Sequence, residues 1–300
     1  MSSTYRTCRE IRNHPPGIQR TMNQHPTTAH ASVCALLPAW QAADFIQATL
    51  DSLSAQTYAH FSVIVSVDDC DDDTFELCCA HAEADSRFRV VRQEQRLGYV
   101  GNCNALLALA DADYALFAFH DDVIAPTYVE RLVAAPDSDP DAVVSFSDVH
   151  LTHTDGREEH WVLNELDGIT NPAERGHLML AGELKWWVPN RGVFRLEKVR
   201  QIGGLKLHGA GEFSTDMPWL FHMSLLGNFV RVPETLCFKY YKPGSLSRSW
   251  AFTPHQRFEV LCACLRELWN SGLSSTAKLD IGAPLVHYLD QNRPQSGSPA

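Results

Sequence analysis

The sequence predicts an α/β fold, a mostly parallel sheet flanked by helices. Three observations predict it. Apolar runs of strand length alternate with helical segments as far as about residue 147, the order that builds a parallel sheet with helices on both faces. Three of the runs end in distinctive residues: Pro38-Ala39-Trp40, Asp68-Asp69 and Asp121-Asp122. Parallel strands would bring all three ends to one edge, where open α/β sheets bind ligands. The length of 300 residues and the 45% hydrophobic content suit one large domain or two joined halves.

Each element has its own signal. Residues 32–37 form an apolar run stopped by Pro38 and read as the first strand. Over 43–56, Phe45, Ile46, Leu50 and Leu53 recur at helical spacing. Residues 61–67 read as the second strand, 74–84 as a helix, 88–91 as a short third strand and 101–110 as an Ala/Leu-rich helix. Residues 114–119 read as a fourth strand ended by Asp121-Asp122. Pro126 opens a helix over 126–134, with proline in its favoured first turn. Residues 142–146 make a fifth strand. The alternation then fades, and 151–187 shows no clear period. Residues 193–202 read as a helix ended by Gly203-Gly204, and 216–226 as another ended by Gly227. Residues 229–232 and 236–241 read as strands. Over 252–269, Phe258, Leu261, Cys262, Leu265, Leu268 and Trp269 give an amphipathic helix, a lid packed on the core or else a dimer or membrane contact. Residues 1–29 read as a flexible N-terminal tail, and 291–300 as a frayed end.

The acid pair is the most informative point. An apolar run ends in Asp121 and Asp122, and Pro126 follows. Carboxylates at that edge suit a divalent cation holding a phosphate-bearing substrate, because hard cations prefer oxygen ligands; the alternative is a pair of solvated loop residues. The net charge of −11 argues against a nucleic-acid binder. Nine cysteines, an odd number with no CxxC pair, read as a reduced, cytoplasmic chain without a zinc site. No apolar run reaches the length of a membrane span, which leaves only peripheral association open, and residues 1–30 lack a signal-peptide core. There is no P-loop, and Gly98-Tyr99-Val100-Gly101 lacks the third glycine of a dinucleotide fingerprint.

Taken in order, these segments resemble family 2 glycosyltransferases of the GT-A fold. Pro38-Ala39-Trp40-Gln41 is similar to the family's Pro-Ala-Tyr-Asn stretch, and residues 52–57 match its Ser-Leu-x-x-Gln-Thr. Val67-Asp68-Asp69-Cys70 is similar to Val-Asp-Asp-Gly, and residues 96–104 loosely match the next segment. Phe119-His120-Asp121-Asp122 stands where the family has Asp-x-Asp-Asp, with Phe119 in place of the first acid. Asp216 opens a helix where the family has an acid, and residues 232–240 resemble its closing Val-Pro-x-x-Leu segment. The likeness spans roughly residues 31–248. No Gln-x-x-Arg-Trp motif follows Asp216, so transfer of one sugar is expected rather than polymer synthesis.

The resemblance implies a GT-A (Rossmann-like) sheet. Residues 30–125 would be its nucleotide-sugar-binding half and 126–250 a mixed acceptor-binding and catalytic half of the same domain, with 251–300 a C-terminal helical extension and tail. It implies a metal-dependent, inverting glycosyltransferase moving one sugar from a UDP- or TDP-linked donor to a hydroxyl of a glycan, lipid-linked or small-molecule acceptor. Mg²⁺ or Mn²⁺ on Asp121 and Asp122 would neutralise the departing diphosphate. Pro38, Trp40, Asp69, Arg96 and Asp121 would bind the nucleotide-sugar. Asp69 would accept from the base or cap the following helix, a role that also suits Asp71, Asp72 and Asp73; Arg96 would meet phosphates or lie solvated. Asp216 would be the catalytic base, with Glu212 as substitute, or a plain N-cap. Trp186, Trp187, Trp219, Tyr240 and Tyr241 would stack on a sugar or belong to the core. Two alternatives stay open: a nucleotidyltransferase, although its Gly-rich basic loop is absent, and a non-catalytic nucleotide-sugar-binding protein.

Overall fold

In a computed structural model, which describes residues 5–7, 31–181, 185–241 and 250–293, the alternation becomes a ten-stranded sheet. Its strands are β1 (Tyr5–Thr7), β2 (Val33–Ala39), β3 (Phe61–Val67), β4 (Phe88–Gln93), β5 (Tyr114–Phe117), β6 (Asp122–Ile124), β7 (Ala142–Thr152), β8 (Glu158–Trp161), β9 (Val193–Arg195) and β10 (Asn228–Tyr240). The order is β1-β4-β3-β2-β5-β9-β7-β10-β6, with β8 on β7. Strands β4, β3, β2 and β5 run parallel, as do β7 and β10, while β1, β6, β8 and β9 pair antiparallel. Strands covered on both faces read as unbroken apolar runs, and every residue of β2 is buried. Pro38 is tolerated inside β2 because it lies beyond Leu36, the last residue paired with β5.

The helices are α1 (Ile46–Ser54), α2 (Thr74–Ala84), α3 (Gly98–Leu109), α4 (Tyr128–Ser138), α5 (Pro172–Leu180), α6 (Leu196–Ile202), α7 (Asp216–Leu226), α8 (Pro254–Asn270) and α9 (Ser275–Gln291), with a 3₁₀ turn at Pro189–Arg191. α3 packs on β2 and β3, α2 on β4, and α4 on β7 and β10. α5, α6 and α8 gather around α7. No described helix is long and apolar enough to cross a membrane.

The structure corrects the sequence reading in several places. The acid pair does not simply end the fourth strand: β5 stops at Phe117, and Asp122 opens a separate strand that pairs with β10. Residues 193–195 are a strand ahead of α6, because they fill the gap between β5 and β7. The two strands expected over 229–232 and 236–241 are one bulged strand, Asn228–Tyr240. Residues 5–7 of the supposed flexible tail form an edge strand on β4. The rest of 1–29 and residues 294–300 lie outside the described residues. Seven described cysteines are free thiols but Cys79 is disulfide-bonded, so the expectation of a wholly reduced set fails there.

Candidate functional site

The register of β2 and β3, which ends at Ala39↔Val67, brings Trp40 and Asp68-Asp69 to one edge. Asp68 is fully buried. Its carboxylate accepts from the N–H groups of Asp69 (3.1 Å), Leu97 (2.7 Å) and Gly98 (2.9 Å) and from Arg96 Nη1 (2.8 Å). It therefore anchors the start of α3 and fixes Arg96, whose guanidinium lies 3.7 Å from the centroid of the Trp40 ring. Arg96 is thus neither free nor merely solvated; it forms a wall with Trp40. Asp69 is exposed, and its side chain makes no hydrogen bond or ion pair with the described residues. The helix-capping role falls to Asp72, which accepts from Thr74 N (3.3 Å) and Ala43 N (3.0 Å). Asp71 accepts from Gln41 Nε2 instead, and Asp73 stands at the N-cap without a side-chain bond. Gln41, next to Trp40, has φ +44°, a strained conformation for a side-chain-bearing residue.

The acid pair is tied into this edge. His120 Nδ1 lies 3.1 Å from the Pro38 carbonyl. Thr49 Oγ1 donates to the Asp122 carbonyl (2.8 Å), and Gln56 bridges the Ala125 carbonyl and Val129 N–H. The 52–57 segment therefore acts by holding the loop behind the acids. Lys239 faces Asp122 across the β6–β10 ladder. Its Nζ donates to Asp121 Oδ2 at 2.9 Å and to Asp122 Oδ1 at 3.4 Å. Arg191 Nε donates to Asp122 Oδ2 at 2.7 Å, and its guanidinium lies 5.5 Å from the Phe119 ring centroid. Burial pushes the Asp121 carboxyl up, but Lys239, His120 and Arg191 outweigh it and hold the group below the usual range. Burial likewise disfavours the Lys239 ammonium, and Asp122 and Asp121 outweigh it, so its pKa is raised.

These pairings do not fit the Mg²⁺ or Mn²⁺ centre that Asp121 and Asp122 would form. Both carboxylates are already neutralised by buried cations. No group of three or more His, Cys, Asp or Glu suited to a metal occurs among the described residues. A divalent ion about 4 Å from one of these cations would meet a repulsion of about 8 kcal/mol at an effective dielectric near 20.

Asp216 lies on the other side of the same 3₁₀ turn. Asn190 Nδ2 donates to Asp216 Oδ2 at 2.9 Å, while the next residue, Arg191, holds Asp122. Consecutive residues thus join the acid pair to Asp216. Burial raises the Asp216 carboxyl to about 6, opposed by nearby backbone N–H groups and Arg191. It opens α7, and the N-cap Thr215 makes no side-chain capping bond. Ser214, two residues earlier, has φ +46°. Asp216 Oδ1, Asn190 Oδ1, Thr215 Oγ1, Trp187 Nε1 and Trp219 Nε1 are buried without hydrogen-bond partners among the described residues, the mark of a site that a polar ligand or water would complete. Glu212, the substitute base, is committed elsewhere: its Oε1 accepts from Val100 N at 3.0 Å, at the start of α3. Trp219 is buried edge-on against Phe117 and Phe194 and belongs to the core, not to a stacking platform. Trp186 and Trp187 pack against each other, Tyr241 packs against Trp161, and Tyr240 is exposed.

Sequence reasoning missed Arg191, Asn190 and the partnership of Lys239 with the acids. Only their nearness in space reveals them, although the basic residue in the closing segment was a signal to pursue.

The chain matches the family profile described as "Glycosyl transferase family 2" over residues 34–191. EpsH of Bacillus subtilis (strain 168), whose name carries the word glycosyltransferase, is 26% identical over 151 residues, 46% of this chain and 43% of EpsH. The glycosyltransferase GlyG of Streptococcus pneumoniae is 24% identical over 113 residues, 37% of this chain and 38% of GlyG. The chain thus spans less than half of either relative. Among solved structures, S. aureus TarS 1-349 in complex with UDP-GlcNAc superposes with a TM-score of 0.66 at 18% identity, covering 86% of this chain and 72% of that one. The mannosyltransferase PcManGT of Pyrobaculum calidifontis, in complex with GDP-Man and Mn²⁺, gives 0.57 at 16% identity, covering 88% and 74%. At these identities the likeness is one of fold.

Proposed function

Because this chain belongs to glycosyl transferase family 2, we propose that it moves one sugar from a nucleotide-sugar to an acceptor hydroxyl with inversion, Asp216 serving as base. The acceptor oxygen attacks the anomeric carbon from the face opposite the diphosphate. The bond from that carbon to the phosphate oxygen breaks, its electron pair stays on the nucleoside diphosphate, and the hydroxyl proton passes to Asp216. The observation that carries this reading is the pair Asn190–Arg191, which links a buried Asp216 with an unpartnered oxygen to the acid pair at the sheet edge. A carboxyl near 6 is ionised at neutral pH yet basic enough to take a proton.

Asp69, exposed beside the Trp40–Arg96 wall, is the proposed partner of the base. A pyrimidine ring N–H would donate to it, which favours a UDP- or TDP-linked donor; the TarS complex with UDP-GlcNAc supports the same class. The acceptor is a glycan, a lipid-linked sugar or a small molecule. The test is a screen of UDP-, TDP- and GDP-sugars for thermal stabilisation, then transfer to an acceptor panel with the anomeric configuration read by NMR. Transfer with inversion is the expected result. Retention would remove Asp216 from the base role, and pyrophosphate release from a nucleoside triphosphate would move the chain to nucleotidyl transfer.

A further inference from the structure

We infer that this chain holds the donor diphosphate without a divalent cation, with the Lys239 ammonium in the place of the metal and Arg191 behind it. The inference rests on the nucleotide-sugar reading above. Its ground is the disagreement between the acid pair and a metal centre. A cation shared by Asp121 and Asp122 would sit between their oxygens, and that position is taken by Lys239 Nζ, 2.9 Å from one carboxylate and 3.4 Å from the other. The placement is built into the backbone, because Lys239 and Asp122 are register partners.

Phe119 fits the same arrangement. An acid there would add an anionic ligand; the phenyl ring instead lies near the Arg191 guanidinium. Two carboxylates and two cations leave the cluster neutral before any substrate arrives. An ammonium has three N–H donors. Asp121 and Asp122 take two of Lys239's, and among the described residues the third has no oxygen or nitrogen acceptor, only the Tyr241 ring, whose centroid lies 5.6 Å from Nζ. The Lys239 side chain is only 8% exposed, so among the described residues the third N–H of this buried charge has only an aromatic face to turn to, a weaker partner than a phosphate oxygen. Asp121, at 14%, is more open than Asp122, at 5%, which marks the side from which a phosphate oxygen would approach. As the anomeric bond breaks, negative charge grows on the leaving oxygen. Lys239 answers it with a charge-assisted hydrogen bond, stronger than a neutral one, and Arg191 reinforces the field through Asp122.

The test is calorimetry of UDP, TDP and GDP on the full chain, in excess EDTA and again with Mg²⁺ or Mn²⁺. At least one should bind with similar affinity in both buffers. Lys239→Met should weaken that binding at least about tenfold. Should Lys239→Met fail to fold because it strands two acids, Lys239→Met with Asp121→Asn removes one charge of each sign and should show the same loss. Binding that vanishes in EDTA and returns with Mn²⁺ overturns the inference and leaves the glycosyltransferase reading intact. Wild-type affinity in a folded Lys239 variant overturns the role of Lys239. Failure of all three diphosphates in both buffers would sink the nucleotide-sugar reading and this inference with it.

Discussion

Asp216 shows how a single residue carries a cost for its chemistry. Its carboxyl titrates near 6 in the fold against an ordinary 3.8. Stability therefore falls as pH rises from about 4 to about 6, and above that the full deficit, about 3 kcal/mol, persists. Asp216→Asn should lower transfer by about 10²–10⁴-fold. It should also raise stability at about pH 7.5, a gain that disappears near pH 4. Urea unfolding at the two pH values reads this directly; a variant less stable than wild type at both would contradict the burial argument. The kcat/KM of the wild type should climb with pH through about 6 and then level, since only the ionised carboxylate accepts a proton. Asp69 is the opposite case. With its side chain exposed and the capping done by Asp72, Asp69→Ala should weaken UDP by about 10–100-fold, the worth of a hydrogen bond to a charged group. Its melting temperature should be unchanged, and a drop would return Asp69 to a structural role.

At the scale of elements, the start of α3 is held by two carboxylates that the sequence scatters over 145 positions, Asp68 and Glu212. Helix N-termini favour anions, and here the fold supplies its own. Asp68→Ala would strand three backbone N–H donors and release Arg96 from Trp40. A loss of about 3–5 kcal/mol is expected by chemical denaturation, together with weaker nucleotide binding. Gly98, at φ +74°, would place a Cβ 2.6 Å from Glu212 Oε1. The elements also mark where pattern reading ends. Strand β3 and helix α7 match their expected bounds although nearly every residue in them is buried, because Asp68-Asp69 and Gly227 mark their ends; helix α2 matches its expected bounds as well. The three-residue strands β6 and β9 carry no period of their own; they exist because β10, β5 and β7 offer open backbone partners.

At the scale of the molecule, α8 and α9 are structural parts of the domain. Glu267 of α8 accepts from Lys206 Nζ (2.8 Å) and lies 2.7 Å from His222 Nδ1 on α7, all around a buried carboxylate. Gly176 of α5 lets that helix approach Leu225 and Ile281, where a Cβ would meet side-chain carbons at 3.1 and 3.2 Å. Glu267→Ala leaves buried partners uncompensated and should cost about 3 kcal/mol or more. A chain ended at residue 253 should lose its cooperative thermal transition, as followed by circular dichroism; a sharp transition in that truncated chain would show the extension to be dispensable.

The alternating core, the edge that β2 and β3 share with Trp40 and Asp69 on it, and a helix opened by Asp216 were all legible along the chain. Apolar periodicity is local, and strand ends follow from it. Which partners Asp121, Asp122 and Asp216 have came from the tertiary structure alone. Whether a carboxylate is free for a metal depends on which cation reaches it, and Lys239 and Arg191 arrive from 117 and 69 positions away. The same holds for Asp68 and Glu212, which resemble site acids in the chain and in space cap a helix. Charge pairing acts through distance in the fold, and distance along the chain does not contain it.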